Sequence, residues 1–169
     1  DGSRRVFARG LRNTIGFAWH PETREFWGMD HGSDWLGNDE PPEELNRLVD
    51  GAHYGWPWLY GIDKVDHSGP WPTDREMSRD EFVAKSTKPV LTYTAHSSPL
   101  GLVFYTARQF PDAYRNSAFI TMRGSWNRKP PSGYEVIVAR FRNGSPNRFE
   151  PFMSGFLIED GQACFGRPV

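Results

Sequence analysis

Gly16-Phe17-Ala18-Trp19, Phe26-Trp27-Gly28-Met29 and His31-Gly32-Ser33-Asp34-Trp35 follow one another early in the chain. Gly101-Leu102-Val103-Phe104, Phe119-Ile120-Thr121-Met122 and Arg123-Gly124-Ser125-Trp126 follow one another in its second half. Each series reads as a Gly-opened strand, a turn, a second strand and a Gly-Ser turn leading to Trp, so the chain repeats itself. Corresponding glycines stand 85 residues apart (Gly16 to Gly101) and 92 apart (Gly32 to Gly124). That spacing suits propeller blades with long insertions, or paired blades. The closing stretch, Gly161 to Val169, has the opening of a third unit. A β-sandwich is the alternative that the pattern leaves open.

Working outward, strand signals fall on Arg5 to Ala8, Ile15 to Trp19, Glu25 to Met29, Leu45 to Val49, Val90 to Thr94, Gly101 to Tyr105, Ala118 to Met122 and Tyr134 to Arg142. They are short, rich in aromatic and β-branched residues, and bounded by Gly, Pro, Asn or Asp. Only Glu40 to Leu48 and Arg75 to Ala84 could pass for helical turns. The excursion from Tyr60 to Lys88 holds few strand formers and reads as a long surface loop.

The 169 residues carry 17 Gly and 14 Pro spread among short apolar runs, which favours many tight turns and an all-β class over a helical bundle. Twenty Lys and Arg against 21 Asp and Glu give a net charge of −1, with no basic block to attract a polyanion, so nucleic-acid binding is not expected. No stretch has the length of a membrane span. The single Cys164 allows no internal disulfide and reads as a small buried side chain. The chain lacks an initial Met and closes on an apolar residue after a turn signal. Both ends read as cuts, making residues 1–169 part of a single propeller domain. Unpaired sheet edges and blade faces would then make the isolated segment prone to aggregate.

Four stretches could carry chemistry. In Gly10-Leu11-Arg12-Asn13-Thr14-Ile15-Gly16, Arg12 offers a planar cationic donor and Asn13 an adaptable amide for carboxylate and carbonyl oxygens. A plain turn with a solvated Arg is the competing reading. Asp30 to Glu40 places many oxygen donors between glycines, as Ca²⁺ requires, without the EF-hand spacing; a solvated acidic loop is its rival. His31 is not spaced for zinc. Gly51 to Gly61, with Trp56 and Trp58, is dense enough in aromatics to stack on a sugar, or simply to pack as core. Finally, the repeat places His96-Ser97-Ser98-Pro99-Leu100-Gly101 at the same end of the barrel as Arg12-Asn13, and Arg123-Gly124-Ser125 with His31-Gly32. Arg123 would then face the axis alongside Arg12, with Arg167 a third candidate. Three converging arginines call for an anion.

The ordered motifs Gly10-Leu-Arg-Asn13 with Gly16, His31-Gly32-Ser33, Glu44-Leu45-Asn46, His53-Tyr-Gly-Trp-Pro57, Pro99-Leu-Gly101 with Phe104-Tyr105, and Gly166-Arg167-Pro168-Val169 resemble those of the glucose/sorbosone dehydrogenase family. The resemblance implies a six-bladed β-propeller, of which this chain would be about half. It implies that the parent oxidises aldose sugars or sugar aldehydes by hydride transfer to pyrroloquinoline quinone (PQQ) with Ca²⁺. It also implies a periplasmic or secreted location and electron transfer to dyes or periplasmic acceptors. Arg12 and Asn13 would lie at the quinone, Arg123 and Arg167 would meet its carboxylates, and the carbonyls of Gly32 and Ser33 would bind Ca²⁺. Ser33 stands where the family often has Pro, and Arg123 where it often has Lys. The family's catalytic His lies N-terminal to Arg12-Asn13, outside this chain, so no base is assigned; His96 is read as a pocket or structural residue. A binding propeller without catalysis and a Ca²⁺-dependent lactonase propeller are the alternatives.

Overall fold

The computed structural model describes residues 2–72, 76–158, 161 and 163–169. Two four-stranded antiparallel sheets form its body. The first contains β1 (Thr14–Trp19), β2 (Phe26–Asp30), β3 (Glu43–Leu48) and, after a long insertion, β6 (Leu91–Tyr93), in that order. The second is an uninterrupted meander of β7 (Pro99–Phe104), β8 (Ala118–Met122), β9 (Glu135–Arg142) and β10 (Ser145–Met153). The insertion carries the hairpin of β4 (Leu59–Tyr60) and β5 (Lys64–Val65), then the helix α1 (Arg79–Lys85). A last small pair joins β11 (Leu157–Ile158) to β12 (Ala163–Cys164). Cys164 is half-buried there, not fully enclosed.

The sheets pack face to face. Trp27 and Met29 of β2 and Leu45 of β3 meet Phe104, Ala118, Ile120, Met122, Ile137 and Ala139 of the second sheet in one core. The first strands of the two sheets lie side by side: a Cβ at Gly16 would collide with the Leu100 carbonyl and with the backbone of Gly101 and Leu102. Gly16 therefore lets the two inner strands approach backbone to backbone. Gly101 is less constrained: a Cβ there would lie 3.1 Å from the Thr121 hydroxyl and at an ordinary 3.5 Å from the backbone of Val169. At the outer side, Tyr93 of β6 packs edge-on against Phe149 of β10 and donates its hydroxyl to Glu135 (2.8 Å). Inner strand meets inner strand and outer meets outer, as in successive blades of a propeller. On the other side of β1, Ile15, Phe17 and Trp19 alternate outward and stay exposed.

Three sequence expectations are corrected. Arg5 to Ala8 forms no strand; its neighbourhood is tied instead to the insertion, with Gly51 N–H donating to the Phe7 carbonyl and Arg9 making an isolated parallel bridge to His53. Glu40 to Leu48 contains no helix, because Glu43–Leu48 pairs on both sides as β3. The helical reading of Arg75 to Ala84 is met by α1, which begins later; its Arg75 end lies outside the described residues. Ser78 caps α1 by accepting from the Glu81 N–H while the Glu81 carboxylate accepts from Ser78, a reciprocal capping box that fixes the start. The loop from Tyr60 to Lys88 is thus partly structured by β5 and α1.

Candidate functional site

Asp30 closes β2 and organises the entry to β1. Its carboxylate accepts the N–H of Arg12 (2.9 Å), the N–H of Asn13 (2.9 Å) and the Thr14 hydroxyl (2.6 Å). This holds the Arg12-Asn13 turn against the corner that follows β2. The Arg12 guanidinium, half-buried, donates to the His31 carbonyl (3.2 Å) and sits 3.9 Å from the Asp34 carboxylate. Asn13 is exposed beside it.

The corner His31-Gly32-Ser33 is held from beneath by Glu43, the first residue of β3, which is fully buried. Glu43 Oε2 accepts the Gly32 N–H (2.8 Å), and Oε1 accepts the Ser98 N–H (2.9 Å) from the segment entering the second sheet. Among the described residues, the carbonyls of Gly32 and Ser33 accept no hydrogen bond. A side chain at Gly32 would press on Pro41 (2.8 Å to Cγ, 2.9 Å to its carbonyl), so the corner is closely backed.

One further carboxyl and two imidazoles complete the surroundings. Glu44 accepts from the Gly61 N–H (2.5 Å) and from the Asn46 amide (3.3 Å). Burial pushes both Glu43 and Glu44 up to about 7, against the opposing effect of those N–H donors. Burial, then the Arg12 charge, lowers the His31 imidazole. His31 Nδ1 is buried with no partner among the described residues. His96 is buried with a left-handed backbone (φ 63°), its Nε2 2.6 Å from the Gly37 carbonyl and its Nδ1 3.9 Å from Asp34. It latches the loop that follows the corner, in keeping with a structural reading.

The corresponding corner of the second sheet is Arg123-Gly124-Ser125. Arg123 projects exposed from the end of β8, and its N–H donates to the Ser98 carbonyl (2.9 Å). Arg167 lies over the Tyr134 ring (5.0 Å), donating to the Tyr134 hydroxyl (3.0 Å) and the Gly124 carbonyl (3.4 Å). Among the described residues neither Arg123 nor Arg167 is ion-paired. The structure thus gathers Arg12, Gly32 and Ser33 at one corner and Arg167 with Gly124 at the next. Arg123 leaves the end of β8 between them in sequence, its backbone joined to Ser98.

Beside Arg12 and Ser33 opens a cleft of about 350 Å³, lined by Trp35, Trp56, Trp58 and Leu36 with Asp66 and Ser68 on its polar side. Its size and mixture of apolar walls with a few polar groups are those of a small-molecule site. Among the described residues no three His, Cys, Asp or Glu side chains cluster to hold a metal, so a cation at this mouth would depend on backbone oxygens. The residues missed from sequence are Asp30 and Glu43 as organisers of the two turns. Their acidic character was visible in the loop; their burial and bonding were not.

A family model, TrAA12-like, matches residues 2–156. The chain belongs to the TrAA12-like family. A protein of Borreliella burgdorferi is 32% identical over 167 residues, covering 97% of this chain and 42% of the relative. A pyrroloquinoline quinone-dependent pyranose dehydrogenase of Coprinopsis cinerea is 29% identical over 173 residues, covering 87% of this chain and 23% of that protein. Among solved structures, the calcium structure of the Trichoderma reesei family AA12 carbohydrate-active enzyme superposes with a TM-score of 0.66 at 23% identity, over 96% of this chain and 43% of the other. That likeness shows the all-β, antiparallel fold, and the resemblance to the quinoprotein sugar dehydrogenases is borne out. The chain spans less than half the length of the relatives it matches. Among the described residues no helix is long and apolar enough to cross a membrane.

Proposed function

We propose that the chain is a segment of a six-bladed propeller that oxidises an aldose or sugar aldehyde with PQQ and Ca²⁺, sorbosone-like aldehydes included. The observation that carries this reading is the corner after β2: two backbone carbonyls, Gly32 and Ser33, that have no donor among the described residues, beside a half-buried Arg12. The TrAA12-like membership and the cofactor named for the Coprinopsis relative support it; the calcium in the Trichoderma structure is consistent with Ca²⁺.

The residues fit the group. Ca²⁺ takes oxygen ligands and accepts backbone carbonyls, and the carbonyls of Gly32 and Ser33 would supply two. Guanidiniums without carboxylate partners, Arg123 and Arg167, suit the cofactor's carboxylates through charge-assisted hydrogen bonds, and Arg12 with Asn13 would meet its quinone end. When bound, the quinone with its Ca²⁺ supplies a hydride acceptor. Trp35, Trp56 and Trp58 would pack against the apolar faces of a sugar ring while Asp66 and Ser68 hydrogen-bond its rim, excluding water from the mouth. The base that takes the substrate hydroxyl proton is proposed to lie outside this chain. A periplasmic or secreted location follows from the same reading.

The test is reconstitution of the full-length polypeptide with PQQ and Ca²⁺, following dye reduction against aldoses and sugar aldehydes with a chelator control. Sugar-dependent turnover that chelation abolishes is expected. A folded protein that fails to bind the quinone overturns the proposal. Among the described residues no three carboxylate or imidazole side chains cluster as a carboxylate-liganded lactonase site would need.

A further inference from the structure

We infer that Glu43 is the positioning residue of the candidate Ca²⁺ corner, a buried carboxylate that aims the Gly32 and Ser33 carbonyls by clamping the peptide that precedes them. This rests on the quinoprotein reading above. The geometry is specific. The peptide between His31 and Gly32 is held at both ends: its N–H donates to Glu43 Oε2 (2.8 Å) and its carbonyl accepts from the Arg12 guanidinium (3.2 Å). Holding this peptide fixes the backbone from which the Gly32 and Ser33 carbonyls project, and among the described residues no donor takes those two carbonyls.

The other carboxylate oxygen of Glu43 accepts the Ser98 N–H (2.9 Å), at the entry to β7 in the second sheet. One side chain therefore ties the corner of the first blade to the inner strand of the next. Burying a carboxylate is costly unless its oxygens are satisfied, and Glu43 has a backbone donor on each. A purely apolar residue at the start of β3 would pack as well in that setting, but would leave the Gly32 and Ser98 N–H groups without acceptors. Glu44, the next residue, is also buried, though less completely, and bonds to Gly61 of the insertion. The pair thus divides the work: one acid sets the corner, its neighbour anchors the loop.

The experiment compares Glu43→Gln with the wild type in the full-length polypeptide, measuring Ca²⁺ affinity by calorimetry in the presence of PQQ, with unfolding of the metal-free proteins alongside. A glutamine keeps the size but offers one acceptor where two N–H groups need one each. Outer-shell partners of metal ligands typically carry about 10- to 100-fold in affinity, and a loss in that range is expected. Equal Ca²⁺ affinity in the two folded proteins overturns the inference and leaves the quinoprotein reading standing. A wild type that binds no Ca²⁺ overturns that reading itself. Should the variant fail to fold, hydrogen exchange in the metal-free wild type decides: the Gly32 amide is expected to be protected, and unprotected exchange there overturns the clamp.

Discussion

The corners His31-Gly32-Ser33 and Arg123-Gly124-Ser125 occupy equivalent places in successive sheets, yet they are held from opposite sides of the backbone. In the first, a buried carboxylate accepts the Gly32 N–H, the Arg12 guanidinium takes the His31 carbonyl, and among the described residues the Gly32 and Ser33 carbonyls are left over. In the second, donors take the carbonyls: Arg167 donates to Gly124 O, and the Tyr134 hydroxyl to Ser125 O (2.5 Å), while the N–H groups of Gly124 and Ser125 bond to the carbonyls of Ser97 and Ser132. The same Gly-Ser turn leaves two carbonyls without donors among the described residues in one sheet and is a sealed joint in the other. What differs is the residue opposite: an acceptor, Glu43, or a donor, Tyr134.

Alanine at the two glycines should separate these roles most widely. Gly124 has φ +99° and would drive a Cβ into the Tyr134 ring, combining left-handed strain with overpacking, whereas Gly32 has no such φ and would only have to ease away from the Pro41 ring (2.8 Å) and carbonyl (2.9 Å). Gly124→Ala is expected to cost about 3–5 kcal/mol of stability, Gly32→Ala about 1–2. Gly32→Ala should weaken Ca²⁺ binding in the protein that remains folded. Denaturant unfolding of the metal-free full-length polypeptide, followed by calcium titration, checks both. Equal losses of stability would mean that the two corners are packed alike.

The repeat that makes this comparison possible was legible because it is written in large apolar residues and glycines, whose burial is dictated by their chemistry. β1, β2, β7 and β8 stand close to where alternation and turn residues placed them. β10 was missed for a physical reason: Pro146, Pro151, Asn147, Arg148 and Glu150 look like a turn, and a strand at the sheet edge with bulges beside both prolines accommodates them. β3 read ambiguously because Glu43-Glu44-Leu45-Asn46 is polar yet buried throughout, which only long-range N–H donors permit. Arg12, Gly32 and Ser33 were found from their motifs. Glu43 was not singled out, since its partners lie 11 and 55 residues away in the chain.

Acidity should sharpen the contrast next. Glu43 and Glu44 are held near 7 in the folded protein against an ordinary 4.5, so the folded state binds their protons more tightly than the unfolded chain does. Stability from this source is complete below about pH 4.5 and is lost as the pH rises through about 7. For Glu44, a shift of that size is on the order of 3 kcal/mol. Metal-free full-length protein is therefore expected to unfold at lower denaturant at pH 8 than at pH 5, with Glu44→Gln flattening the dependence. The effect should be local. Hydrogen exchange corrected for intrinsic rates should loosen around Gly61, the partner of Glu44, at pH 8 and stay constant around residues 123–126, where a tyrosine takes the place of the acid. An unchanged pH profile in Glu44→Gln would mean that Glu44 is solvated enough to ionise freely.

Removing the Tyr134 hydroxyl tests the sealed corner by itself. Tyr134→Phe leaves the ring against Gly124 and beneath Arg167, but takes away the donor to Ser125 O and the acceptor of Arg167. Two buried or half-buried bonds of this kind are expected to be worth about 1–2 kcal/mol together, seen as a lower denaturant midpoint at unchanged m. The two ligands should respond differently. Arg167 loses an anchor, so PQQ affinity is expected to fall a few-fold if that guanidinium meets a carboxylate of the cofactor, while Ca²⁺ affinity at the Glu43-backed corner stays within twofold. Loss of both in equal measure would mean that the corners are coupled through the inner strands β1 and β7, and that acceptor and donor backing are two parts of one site.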